Sequence, residues 1–219
     1  MPTKIRKHSC AETNVAFGRL LLAVTAVFIQ LGLSTDAQAR DPGRSQQPLS
    51  VGSPAQPTRA WTEFCTKLPA ECMVDPSEPS PVDLTPSMLR KIIQVNRGVN
   101  KAILALPDRQ HWDVEDRWDY PTDGVGDCED IQLVKRKRLI QAGLPRRALR
   151  MTVVIDEAGN GHAVLMVRTT KGEFILDNKR DAVLPWHRTG YVYVMREADE
   201  SAAWVSLGRR KSPVMTATR

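Results

Sequence analysis

No stretch of this sequence is apolar for long enough to cross a bilayer. Its longest uncharged hydrophobic segment, Leu20–Leu33, has 14 residues, short of the ~20 that a spanning helix needs. Basic residues are scattered rather than interleaved with aromatics into a stripe, which argues against nucleic acid as a partner. The four cysteines show neither a CxxC redox pair nor zinc-knuckle spacing. There is no internal repeat.

The short apolar segment has another use. Lys4, Arg6, Lys7 and Arg19 precede it, and Ala37-Gln38-Ala39 follows with small-x-small cleavage spacing. This is the pattern of a secretory signal peptide over residues 1–39, cut after Ala39. A single membrane anchor is the weaker alternative on length. The leader removes four of the 31 basic residues and two of the 25 acidic ones, so the remaining 180 residues carry +4. That is one domain's worth of chain. Residues 40–60, rich in Pro, Gln, Ser and Gly, are expected to be a flexible linker. The expected domain is 61–200, with 201–219 as a C-terminal tail.

Export implies an oxidising compartment. Cys10 leaves with the leader. Cys65 and Cys72 flank Leu68-Pro69 at a separation that a disulfide can close, which leaves Cys128 as the odd thiol. Gly124-Val125-Gly126-Asp127-Cys128-Glu129-Asp130 reads as a glycine loop feeding a helix, with Asp127 as N-cap and Cys128 as the first helical residue. Ile131 to Ala142 has no Gly or Pro and should be helical; Gly143 and Pro145 stop it. A thiol at a helix N-terminus is placed where backbone N–H groups favour the thiolate. The alternative is a small buried residue at a helix start; the odd cysteine count favours the reactive reading. On the same helix, Lys135-Arg136-Lys137-Arg138 reads as a solvated face.

Thr85 and Pro86 open an earlier helix as N-cap and N1, and Leu89, Ile92, Ile93, Asn96, Val99 and Ile103 follow on one face. After the central helix the pattern turns to strands: 150–155, 162–167, 173–177 and 191–195, joined by turns at 156–161 and 170–172. Short loops predict an antiparallel meander. The fold class is α+β, with N-terminal helices packed on an antiparallel β-sheet.

A cysteine nucleophile needs a base and a group to orient that base. His162 starts one strand and Asp177 ends the next, so a hairpin puts both at one end. A tight turn leaves Asp177 about two to four residues away from the position opposite His162, at ~3.3 Å each. Alone, His162 also fits a strand-end histidine and Asp177 a turn former. His111 and His187 are less well placed.

Gly-Asp-Cys-Glu-Asp at 126–130, Gly-His-Ala-Val-Leu at 161–165 and Leu-Asp-Asn at 176–178, followed by Leu184-Pro185-Trp186, resemble the bacterial transglutaminase-like cysteine proteinases. The likeness extends from about Trp61 to Met195 and is to the LapG-like periplasmic branch. It implies a papain/transglutaminase-like fold and a cysteine endopeptidase working through an acyl-enzyme. Cys128 would be nucleophile, His162 general base and acid, and Asp177 the orienting carboxylate. The Cys128 N–H would form part of an oxyanion hole completed by Trp118 or a loop amide. The resemblance also implies a Ca²⁺ ion beside the cysteine, with Asp127 and Glu129 as ligands and Asp116, Asp119 and Asp130 as further candidates. It implies a protein substrate, a surface adhesin in that branch, and an inner-membrane regulatory receptor. Two alternatives are acyl transfer or peptidoglycan-peptide hydrolysis by the same triad, and a non-catalytic binding module on the same fold.

Overall fold

The computed structural model describes residues 47–208. The leader expected over 1–39 lies outside the described residues, as do 40–46 of the linker and 209–219 of the tail.

The helices come first. α1 (Arg59–Lys67) is capped by Thr58, whose side chain accepts from Trp61 N. α2 (Pro86–Ala102) starts as expected: Thr85 Oγ1 accepts from Met88 N at 3.1 Å, and Pro86 occupies the first turn. Ile92, Asn96 and Val99 form its buried stripe. α4 (Cys128–Gln141) is the central helix. Between α2 and α4 lie β2 (Leu104–Ala105), the single turn α3 (Asp108–His111) and β3 (Val125–Gly126), with β2 and β3 paired in parallel.

β4 (Leu149–Ile155), β5 (Gly161–Thr169) and β6 (Gly172–Leu176) run as the expected antiparallel meander, and the two-residue β7 (Leu184–Pro185), which was not expected, pairs on its edge. β8 (Val192–Glu197) does not continue it. It crosses to the other side of β4, and β9 (Trp204–Ser206) and β1 (Pro54–Ala55) extend that edge, giving the order β1-β9-β8-β4-β5-β6-β7.

This edge corrects two boundaries. Part of the expected linker forms β1, and part of the expected tail forms β9. Gly52 N donates to Ser206 O at 2.8 Å and Ser206 N to Ser53 O at 2.9 Å. Trp204 is fully buried, with its ring 5.6 Å from Trp61 and 6.3 Å from Trp118. A single large apolar side chain carries this packing, so polar composition around it hides a structural segment.

One core lies between the helices and the first sheet face, built from Trp61, Phe64, Ile92, Trp118, Leu133, Leu139, Met151, Val153, Leu165, Leu176 and Trp204. The other face is covered by Leu49, Tyr191, Tyr193 and Leu207 over Val154, Val164, Met166 and Ile175. α4 is therefore enclosed. The cationic run on it is not a solvated face: Lys135 and Arg136 are fully buried, and only Lys137 and Arg138 face water. Arg136 makes two bonds to Glu197, at 3.0 and 3.1 Å, and one to Glu71 O at 3.0 Å. Hydrogen bonding of this kind is what lets a guanidinium stay charged in an interior.

Cys65 and Cys72 form a disulfide with a Cα–Cα distance of 5.7 Å. It ties the end of α1 to the 3₁₀ turn Pro69–Glu71, whose Glu71 carbonyl receives Arg136 and Arg146. Closing this short loop restricts the unfolded chain, so the Cys65→Ala/Cys72→Ala double variant is expected to lose about 2 kcal/mol. Urea unfolding of oxidised and variant protein measures it.

Candidate active site

The chain enters the site through a constricted turn. Gly124 has φ +84°, the left-handed region open to glycine. A Cβ at Gly126 would lie 2.9 Å from the Asp130 side chain, so no larger residue fits there without displacement. Cys128 follows as the first residue of α4, partly exposed and the one free thiol among the described residues. Its N–H belongs to the first turn and has no intrahelical acceptor.

Asp127 occupies the N-cap position with extended backbone but makes no side-chain cap hydrogen bond. That corrects the capping role. Its Oδ1 is buried without a partner among the described residues. The carboxylate instead joins a cluster: Asp108, Asp127 and Asp130 bring ligand oxygens within 4.8 Å of one another, as do Asp108, Asp116 and Glu129, and Asp127 and Glu129 close the same distance with Cys128 Sγ. Asp119 stands outside these groups; it pairs with Arg117 at 2.7 Å, and its N–H donates to Asp130 Oδ1 at 2.7 Å. Asp108 belongs to the cluster and was not legible in the sequence, where Leu106-Pro107-Asp108 reads as a helix stop. Its side chain is buried, and it accepts from Arg117 N.

Among the described residues, none of Asp108, Asp116, Asp127, Glu129 and Asp130 forms an ion pair. Burial raises the protonation range of all five, and the charges of neighbouring cluster acids add to it at Asp116, Asp127, Glu129 and Asp130. Asp116 and Glu129 move upward, and Asp130 reaches about 8. The Cys128 thiol is also pushed up, first by burial and then by the charges of Glu129 and Asp127. The helix N-terminus does not by itself yield a thiolate while the neighbouring carboxylates are uncompensated.

His162 and Asp177 meet directly. Nε2 of the ring is 2.9 Å from Asp177 Oδ1, and both side chains are buried. The β5–β6 ladder pairs Leu165 with Leu176. Continued one step, it sets Asp177 opposite Val164, two residues from His162 and on the same face. Diagonal neighbours on one face are within reach of an aromatic ring, so the expected offset closes without a bulge. Asp177 is further held by Tyr191 Oη, which donates to Oδ2 at 2.5 Å, and by Lys179 N, which donates to Oδ1 at 2.9 Å. Burial opposes its ionisation, but these bonds and the imidazole keep its carboxyl below the ordinary range. From α2, Asn100 Nδ2 donates to Asp177 O at 3.0 Å, and Asn96 Nδ2 donates to Arg180 O at 3.0 Å. Tyr191 and Asn100 carry no motif of their own, and only the register brings them here.

The sulfur of Cys128 lies beside the strand that bears His162, accepting from Ala163 N at 3.3 Å. Its proton is directed to Glu129 Oε2 at 3.0 Å. No hydrogen bond joins the thiol to the imidazole among the described residues. Trp118 is not available to an oxyanion hole: it is buried in the core, 5.1 Å from Trp61 between ring centroids.

Helices on one face of an antiparallel sheet, with a lone thiol opening the central helix beside a strand-borne His–Asp pair, define a transglutaminase-like cysteine enzyme. The sequence model for the bacterial transglutaminase-like cysteine proteinases (BTLCP) matches residues 51–212, a span that includes β1 and β9. The chain belongs to that family and is a transglutaminase-like cysteine protease, with a protein as its substrate. Solved structures of LapG from Legionella pneumophila are similar. The calcium-bound form is 24% identical with a TM-score of 0.48, covering 70% of this chain and 80% of that one. The EGTA-treated form is 23% identical with a TM-score of 0.47, covering 67% and 74%. No curated protein matches the chain.

Proposed function

We propose that the protein is a periplasmic endopeptidase whose catalytic groups are Cys128, His162 and Asp177. The observation that supports this best is the His162–Asp177 bond. With Nε2 committed to an ionised Asp177, Nδ1 is the ring nitrogen left for the thiol. The reaction starts when Cys128 turns from Glu129 toward His162 and gives its proton to Nδ1. The sulfur attacks the scissile carbonyl and a C–S bond forms, with the oxyanion facing the first-turn N–H groups of α4. The C–N bond then breaks as His162 returns the proton to the leaving amine. Water, deprotonated by His162, attacks the thioester and releases the acid and the free thiol.

Export through the leader agrees with the disulfide, which persists in an oxidising compartment. By the resemblance of its motifs, the substrate would be an envelope or surface protein of the adhesin type and the regulator an inner-membrane receptor. Comparing envelope and surface protein fragments between wild type and a Cys128→Ala strain tests this. New termini that carry one added water, absent from the variant strain, are expected. Joined peptides would show acyl transfer instead, and identical fragments would remove the proposal.

A divalent cation fits the acidic cluster. Its donors are hard carboxylate oxygens, and among the described residues Asp108 Oδ1 and Asp127 Oδ1 lack hydrogen-bond partners and none of the five acids is ion-paired. Asp127, Glu129 and Asp116 would hold it, together with Asp108 and Asp130. Several carboxylates in an irregular loop suit Ca²⁺ better than Mg²⁺, which keeps more of its water. A bound ion would offset the negative charge beside Cys128 and so favour its thiolate.

Tyr191 tests the third member. Tyr191→Phe removes one charge-assisted bond from Asp177 while keeping the ring 5.7 Å from His162. A bond to a charged group is worth ~1.5–3 kcal/mol, and only part of it bears on the transition state. A fall in kcat of about tenfold is expected, with KM little changed, measured by steady-state hydrolysis of a peptide substrate.

A further inference from the structure

We infer that Asp156 is a positioning residue for the His162–Asp177 pair, tying the turn before one member to the turn after the other. The inference rests on the reading of Cys128, His162 and Asp177 as the catalytic groups. The β5–β6 ladder alone does not hold that pair. It ends at Leu165 with Leu176, three residues short of His162 and one short of Asp177. β4 steadies His162 by pairing it with Val154, while Asp177 lies past the last rung of β6.

One carboxylate bridges the gap. Asp156 follows the last residue of β4 and is buried. Its Oδ1 accepts from Ala158 N at 3.0 Å and from Asn160 N at 2.8 Å, closing the β4–β5 turn two residues before His162. Its Oδ2 accepts from Lys179 Nζ at 2.6 Å, two residues after Asp177. The Lys179 backbone N–H donates in turn to Asp177 Oδ1 at 2.9 Å, the oxygen that faces His162 Nε2. The contacts form a closed circuit, from the turn before His162 through Asp156 and Lys179 to Asp177 and back to the imidazole. Burial opposes ionisation of Asp156, but Lys179 and the turn N–H groups hold its carboxyl below the ordinary range. At neutral pH it is therefore an acceptor for each of these donors.

A turn of this kind needs only one side-chain oxygen, and here that is Oδ1. Oδ2 serves the link to Lys179. The other side chains that reach the backbone or side chains of the Asp177 turn, Asn96 and Asn100 from α2 and Gln132 from α4, anchor it to helices and not to the strand that bears His162. A second pair, Arg180 with Glu157, spans the same two turns in solvent, where water and salt leave it weak. The Asp156 carboxylate is 5% exposed and is shielded from that loss. Without it the Asp177 turn would follow the helices alone, and the imidazole would lose the orientation that aims its other nitrogen at the thiol.

The test is steady-state hydrolysis of a peptide substrate, with kcat and KM read separately. Asp156→Asn keeps an oxygen for Ala158 and Asn160 but loses the ion pair, and is expected to lower kcat about tenfold with KM little changed. Lys179→Met should do the same, and Lys179→Arg, which keeps the charge, should recover most of the loss. Combining Asp156→Asn with Lys179→Met should slow the enzyme no further, since both remove one contact. In an Asp177→Asn background the Asp156→Asn effect should vanish. An unchanged kcat in Asp156→Asn and Lys179→Met, with Cys128→Ala and His162→Ala inactive, overturns this inference alone. A loss that Lys179→Arg does not recover, or that persists in full beside Asp177→Asn, also overturns it, because the ion pair would then act on the fold and not through Asp177. Activity retained by Cys128→Ala would instead remove the catalytic reading beneath it. If Asp156→Asn does not fold, Lys179→Met carries the same test from a side chain that is 37% exposed.

Discussion

Cys128→Ala is expected to abolish peptide hydrolysis, by at least ~10⁴-fold in kcat/KM, because no other group can form the thioester. The fold should survive. The side chain is partly exposed, and its two contacts are an amide N–H donor and a carboxyl acceptor. Losing such bonds costs about 1 kcal/mol each, too little to unfold a domain of this size. His162→Ala is expected to be as damaging to the rate, since the thiol then has no base. It also leaves the Asp177 carboxylate buried with only Tyr191 and Lys179 N as partners, so a lower melting temperature accompanies it. Asp177→Ala should cost about tenfold to a hundredfold less in rate than either, because the imidazole remains as a base but loses its tautomer and orientation. Single-turnover acylation of each variant by a chromogenic peptide, with thermal melting alongside, separates chemistry from folding. Turnover by Cys128→Ala at more than a trace would exclude a sulfur nucleophile.

Much of this site was legible because it is made of local signals. A glycine loop, a cysteine at a helix start and a His and an Asp at the same end of a hairpin each follow from spacing. The offset between Asp177 and His162 could be counted in the sequence, but its closure could not: both residues fall on one face only because the ladder register is that of Leu165 with Leu176. The positions that misled share a cause in tertiary context. Lys135 and Arg136 look like surface charge because the sequence of α4 has no apolar stripe, yet α4 is enclosed and the Arg136 guanidinium pairs with Glu197, more than sixty residues away. Asp127 looks like a cap because local propensity says so, while its carboxylate is drawn into a cluster with Asp108 from another segment. β1 and β9 are too short and polar to show a strand period, and they are fixed by pairing with each other and by Trp204.

That cluster carries the second large effect. Treatment with EGTA is expected to lower the melting temperature by about 5–10 °C and to stop cleavage, with Ca²⁺ restoring both and Mg²⁺ neither. The size follows from linkage: an ion present at a hundred times its Kd stabilises by ~2.7 kcal/mol, and each kcal/mol moves the midpoint of a chain this long by roughly 2–4 °C. The pH dependence of the chelated protein has a definite sign. Its clustered carboxyls protonate at higher pH folded than unfolded, so the stability they contribute is fully present below pH ~4 and is lost as pH rises through their folded values, up to about 8 for Asp130. The chelated protein should therefore melt progressively lower between pH 5 and 8 on this ~3-unit scale, and the Ca²⁺-loaded protein much less so. Asp127→Asn should weaken the response to Ca²⁺ by removing one ligand charge. Reactivity should follow the same ion. With the cluster uncompensated, the Cys128 proton stays on a thiol directed at Glu129, and iodoacetamide should modify it slowly. With the charge offset, alkylation should quicken at the same pH before any substrate is added. Chelation that alters neither melting nor the alkylation rate would leave the acids as a pH-sensitive structural cluster and separate the protease chemistry from any metal.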